Sequence, residues 1–317
     1  MTDEEMLAET RAFNTGLEQV LKALPPVHTV PAETTRRERR TDGGIFPAPV
    51  FLPEAQWQRI EGRAGEIPLR IVEPEGDAHG AYLHLHGGGW TLGAADLQDP
   101  ALKAAADATG LVMVSVDYRL APEHPYPAAP DDCEDAAHWL LDNFGGRRAI
   151  GGESAGAQLA VVTLLRLRDR DGISPREAFA AANLVFGPFD LTGTPSRFLW
   201  GDRELVLSDP MMEWFVASYV PGTSERERRE PDVSPLYADL RDLPPALFSC
   251  GTMDPLVDDT LFMEARWRSA GNETALTLWP EAVHGFVAFD IEVARRSRAE
   301  QYAFLRGTSA AASAASA

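Results

Sequence analysis

Cysteine is nearly absent from this chain of 317 residues: Cys133 and Cys250 are its only two. They match neither a metal-ligand spacing nor a disulfide framework. Each lies in an apolar or helical stretch, which predicts a small buried hydrophobe. Long apolar runs are missing as well, since no stretch approaches the roughly 20 residues that span a bilayer. The opening MTDEEMLAET has neither the basic start nor the apolar centre of a secretory signal. Basic charge is also scarce: 29 Lys and Arg stand against 48 Asp and Glu, a net charge of −19. Such a surface repels phosphate backbones and anionic lipid, so no nucleic acid and no membrane is expected as a partner. No internal repeat is present. A cytoplasmic globular protein is the expectation, because 44% apolar residues over this length suffice for a substantial core.

Residues 1–24 read as a helix, with Met6, Leu7, Phe13, Leu17, Val20, Leu21 and Leu24 at three- and four-residue steps. The following PPVHTVPAETTRRERRTDGG reads as irregular and solvated, its arginines interrupted by glutamates. QWQRIEG and IPLRIVEP then predict a hairpin at a sheet edge. Six apolar, β-rich runs follow, from GAYLHLHG to TALTLWPEA, with helical stretches at 97–109, 131–144, 155–170 and 258–270. This alternation predicts an α/β fold with a mostly parallel central sheet and helices on both faces. Residues 191–235 depart from it as an excursion between two strands, with a helix started by Ser208 and ended by Pro221-Gly222. The division expected is 1–50, 51–190 and 236–306 around that insertion, with 307–317 a disordered low-complexity tail.

Gly152-Glu153-Ser154-Ala155-Gly156 matches G-x-S-x-G between an apparent strand and a strong helix. A nucleophile elbow has that context: a serine on a strained turn, with glycines where side chains would clash. A serine hydroxyl needs a base. His284, in a loop after the last strand and beside Gly285, is the best placed of the seven histidines. Asp254, at the end of the preceding strand and followed by Pro255, is the candidate to orient it. The chain order Ser, Asp, His is that of α/β-hydrolases. HLHGGGW, residues 84–90, supplies a glycine loop whose N–H groups could face an oxyanion. It lacks the lysine and helix start of a phosphate loop. His84 and His86 form an H-x-H pair, but no further cluster completes a metal site. No cofactor is therefore expected.

With these motifs the sequence resembles the bacterial hormone-sensitive-lipase-type esterases, family IV of the α/β-hydrolases. The similarity runs from about residue 80 to 306 and includes DYRLAPEHPYPAA, SPLYADLRDLPPALF, DPLVDD and HGF. The resemblance implies a serine carboxylesterase with Ser154, Asp254 and His284 as its triad. It implies the N–H groups of Gly88, Gly89 and Ala155 as the oxyanion hole. It also implies a helical cap built from residues 1–50 and 191–235, above a site for a small-molecule ester. Trp90, Trp214 and Phe215 are expected against the substrate. Members often dimerise, so a homodimer is an expectation of the resemblance and not of any residue pattern. Glu153 stands where the family more often has aspartate or threonine, and Ala157-Gln158 replace a common Gly-Asn pair. Two alternatives stay open: an amidase or lactonase using the same triad, and a non-catalytic small-molecule receptor on the same fold. The plant gibberellin receptor, which resembles the family, lacks the histidine that His284 supplies here.

Overall fold

The computed structural model describes residues 1–307; all but Gly307 of the tail expected to be disordered lies outside the described residues. Eight strands form one sheet: β1 (Gln56–Gly62), β2 (Gly65–Val72), β3 (Gly80–Leu85), β4 (Val112–Val116), β5 (Arg147–Glu153), β6 (Ala181–Val185), β7 (Ala246–Met253) and β8 (Thr274–Val283). Their order is β1-β2-β4-β3-β5-β6-β7-β8. The expected hairpin, β1 and β2, is antiparallel and joins β4 antiparallel at one edge; β3 through β8 run parallel. The central strands are buried on both faces, which is why GAYLHL and VMVSV read as continuous apolar runs and not as alternations.

The helices are α1 (Asp3–Lys22), α2 (Ala32–Thr41), α3 (Asp99–Thr109), α4 (Ala128–Asn143), α5 (Ala155–Asp169), α6 (Pro175–Ala178), α7 (Pro195–Trp200), α8 (Asp209–Tyr219), α9 (Glu225–Arg228), α10 (Val257–Ser269) and α11 (Glu292–Arg306). Strand alternation sorts the core into two layers. Leu83, Leu85, Val114 and Ile150 pack with residues of α4, α5 and α10, whereas Tyr82, Met113 and Ala149 pack with Leu102 and Ala106 of α3 and Phe304 and Leu305 of α11. Helix α5 lies deepest and is apolar almost all round, as a core helix is.

Three details correct the sequence reading. The arginine-rich stretch after residue 24 is largely solvated, as expected, but it is not irregular throughout. It contains α2, and its arginines are structural: Arg36 donates to the Thr91 carbonyl at 2.7 Å and pairs with Glu123, while Arg40 grips both oxygens of Asp96. On α1 the buried face is Met6, Thr10, Asn14 and Leu17, and Val20 and Leu24 are exposed. Helix α11 was not anticipated at all. Among the described residues no helix is long and apolar enough to cross a membrane. Cys133 and Cys250 are free and buried, as expected.

Candidate active site

The turn between β5 and α5 carries Ser154 at φ 54°, ψ −122°, a conformation that costs a non-glycine residue on the order of 1–3 kcal/mol. Close approach explains the flanking glycines. A Cβ on either Gly152 or Gly156 would run into the carbonyl oxygen of Leu85, at the end of β3. The elbow can therefore press against the neighbouring strand only with glycine two positions either side of the serine. Its backbone N–H donates to the Val185 carbonyl of β6 at 2.9 Å. The positive end of α5 begins at the next residue and favours negative charge there.

Three loops after three parallel strands converge. Ser154 Oγ lies 3.0 Å from His284 Nε2, and His284 Nδ1 lies 2.8 Å from Asp254 Oδ2. The other Asp254 oxygen accepts the Leu256 N–H at 2.9 Å, and the carboxylate is fully buried. Phe186 packs its ring against His284, centroids 4.7 Å apart. Gly87 brings the next loop in: a Cβ there would stand 2.9 Å from the Glu153 carbonyl oxygen, just before the serine. Among the described residues, the N–H groups of Gly88 and Gly89 donate to no protein acceptor. Several backbones near this point are left-handed without being glycine: Trp90 (φ 57°), Phe186 (39°), Val206 (69°) and Glu281 (60°). Strain of this kind concentrates at functional sites.

A mainly apolar cleft opens beside Ser154, lined by Gly89, Trp90, Leu191, Leu207, Met212, Phe215, Val216 and Leu256. Trp90 is buried, stacked on Tyr219 (4.5 Å) and fixed by an indole N–H donated to Gln158 Oε1 at 3.0 Å. Gln158 also donates to the Val233 carbonyl, so a departure from the family pattern holds a wall of the cleft. Trp214 is not among the lining residues; its ring lies 4.9 Å from Phe215. Met212, Phe215 and Val216 share one face of α8 at i, i+3 and i+4, and that spacing was visible in the sequence. Asp259, also in the lining, accepts N–H groups from Phe189 and Asp190 and the Thr194 hydroxyl. Burial nevertheless pushes its carboxyl up to about 7.

The sequence reading missed a buried pair behind the elbow. His84 Nδ1 meets Ser115 Oγ at 2.8 Å, and Nε2 meets Glu153 Oε2 at 3.1 Å. Burial raises the Glu153 pKa, but His84, helped by hydrogen bonds from Gln98 and the backbone, outweighs it and the carboxyl falls below its ordinary value. Both His84 nitrogens are thus engaged and neither is left for a metal. His86 turns Nδ1 to the Gly87 carbonyl and stacks on Tyr118, whose hydroxyl donates to the His86 carbonyl at 2.6 Å.

A parallel sheet, a serine elbow after β5 and the order Ser, Asp, His define an α/β hydrolase. The family model described as alpha/beta hydrolase fold matches residues 82–288, and the chain belongs to that family, in the hormone-sensitive-lipase-like branch that the motifs indicated. It is 34% identical over 305 residues to the carboxylesterase NlhH of Mycobacterium tuberculosis, covering 90% of this chain and 94% of the relative. It is 35% identical over 263 residues to the carboxylic ester hydrolase LipN of the same species, covering 80% and 69%. Among solved structures, a hyperthermophilic esterase from the archaeon Pyrobaculum calidifontis superposes with a TM-score of 0.84 at 31% identity, covering 93% of this chain and 97% of that one.

Proposed function

We propose that this carboxylic ester hydrolase cleaves short- to medium-chain esters through an acyl-enzyme on Ser154. The observation that carries the reading is the continuous line from Ser154 Oγ through His284 to Asp254, beside N–H donors that have no acceptor among the described residues. His284 takes the Ser154 proton as the hydroxyl attacks the ester carbonyl. Buried Asp254 holds the ring in the tautomer that presents Nε2 to the serine and stabilises the imidazolium. The N–H groups of Gly88, Gly89 and Ala155 receive the oxyanion. His284 then protonates the departing alcohol, and water repeats the sequence to release the acid. No step calls on a cofactor. The names of the relatives support ester cleavage; an amidase or lactonase would share each residue and differ in the leaving group.

In this reading α1, α2 and the 191–235 segment cap the site, and the apolar cleft takes the acyl chain. Each CH₂ buried there adds roughly 0.8 kcal/mol until the cleft is full, after which further length costs packing. The kcat/KM for a 4-nitrophenyl ester series is therefore expected to peak at short to medium acyl chains. A maximum at long chains would refute the size limit. Removing residues 1–40 should flatten the profile and lower the melting temperature, because Phe289, Ile291 and the other partners of Met6 and Leu17 lose their cover. An unchanged profile would show that the N-terminal helices do not set substrate size. Labelling by an organophosphate identifies the nucleophile: a single adduct on Ser154 is expected, and one on another serine rejects the mechanism. A burst of product on mixing enzyme and ester separates it from the receptor alternative.

A further inference from the structure

The strand that delivers His284 is bent just before it. Gly251 of β7 pairs with Trp279, and Met253 pairs with Val283, so Thr252 alone faces Pro280, Glu281 and Ala282. Such bulges re-aim a side chain, and they take backbone groups out of the ladder. Glu281, in the middle, adopts φ 60°, an unfavourable setting for a residue with a long side chain. Its two displaced backbone groups are taken up by side chains. The N–H donates to Thr252 Oγ1 at 2.9 Å, and the carbonyl accepts from Asn14 Nδ2 at 2.7 Å. Asn14 comes from α1, far away in sequence, and lies on the buried face of that helix between Thr10 and Leu17. Its Oδ1 is buried with no hydrogen-bond partner among the described residues. A half-satisfied amide on a packing face costs stability, which an apolar residue there would avoid. Its one bond goes to the residue whose backbone is strained, three positions ahead of His284.

We propose that Asn14 and Thr252 are positioning residues that clamp the β8 bulge and thereby aim His284 at Ser154. This rests on the reading of His284 as the base. Helix α1 is then more than part of the cap: it holds part of the proton relay. Glu281 also pairs with Arg11 at 2.9 Å, but Arg11 is exposed and such a pair contributes little. The backbone bonds carry the clamp.

A positioning role differs from a packing role in what it changes. Misaiming the base weakens the transition state with little effect on substrate binding, and small displacements can cost about a hundredfold. The test is steady-state kinetics on a short-chain 4-nitrophenyl ester with the full-length protein. Asn14→Asp keeps the shape and removes the donor; Asn14→Ala and Thr252→Val complete the set. Both Asn14 variants should lose about tenfold or more in kcat with KM within about threefold. Thr252→Val should fall in the same direction by less. Glycine adopts φ 60° unaided, so in a Glu281→Gly background the Asn14→Asp loss should shrink to under about threefold. Wild-type kcat in Asn14→Asp, a rise in KM at constant kcat, or the same loss in both backgrounds would overturn the clamp. Ser154→Ala runs alongside: if it retains turnover, the assignment of the triad fails; if it is inactive while Asn14→Asp is normal, only the clamp fails.

Discussion

Ser154→Ala is expected to lower kcat/KM for a chromogenic ester by roughly five to six orders of magnitude, and His284→Ala by about as much, because nucleophile and base act as a unit. Asp254→Asn should cost about 10⁴-fold, since the wrong tautomer then faces the serine. The variants should separate on stability. Ser154 Oγ contributes a single bond to His284, so Ser154→Ala melts close to wild type. His284→Ala strips the buried Asp254 carboxylate of the ring nitrogen and leaves it the Leu256 N–H and the weak donor of the Cys250 thiol. Breaking a buried pair from one side typically costs about 3–5 kcal/mol. Its melting temperature should therefore fall while Ser154→Ala stays put. Thermal melts and kinetics on the same preparations check both. Ester turnover within about a hundredfold of wild type in Ser154→Ala would remove Ser154 as the nucleophile.

Much of this site was legible in the sequence because its constraints are local. Glycines two positions either side of a serine between a strand and a helix have one steric reading, and the Leu85 carbonyl shows why. The parallel strands announce themselves by burying both faces. The glycine loop was legible in the residues too, and the family resemblance added which of the N–H groups it offers.

The parts that escaped depend on pairing between distant segments. Helix α2 buries Thr35 alone and holds on by arginine bonds to Thr91, Ala121 and Asp96, so it offers no apolar stripe. The buried stripe of α11 runs Val293, Ala294, Ser297, Gln301, Phe304 and Leu305, too polar through its middle to stand out. The His84–Glu153 pair needs the β3–β5 register, which sets His84 beside Gly151. Nothing in PEAVHGF betrays a left-handed Glu281. Asn14 even looks like a fault in an amphipathic helix until the bulge it serves is in view.

The second large effect concerns the glycine loop, and the structure divides two residues that the sequence treats alike. Gly88 has φ 121°, which a side chain tolerates poorly. A Cβ there would also enter the Leu92 carbonyl, which accepts no freedom to move from so short a turn: Thr91 and Leu92 both donate back to the Gly88 carbonyl. Gly88→Ala must therefore shift the N–H groups themselves. Losing one oxyanion donor typically costs about 10²–10³ in kcat, and since the charge exists only in the transition state, KM should change little. A Cβ on Gly89 instead meets the ring of Phe215, a wall of the cleft. Gly89→Ala should displace that ring, so its kcat falls and its KM rises as well, most for the longest acyl chains that still fit. Kinetics across the acyl series resolve the two signatures. A Gly88→Ala enzyme with normal kcat and raised KM would mean that this loop binds the ground-state ester and not the oxyanion.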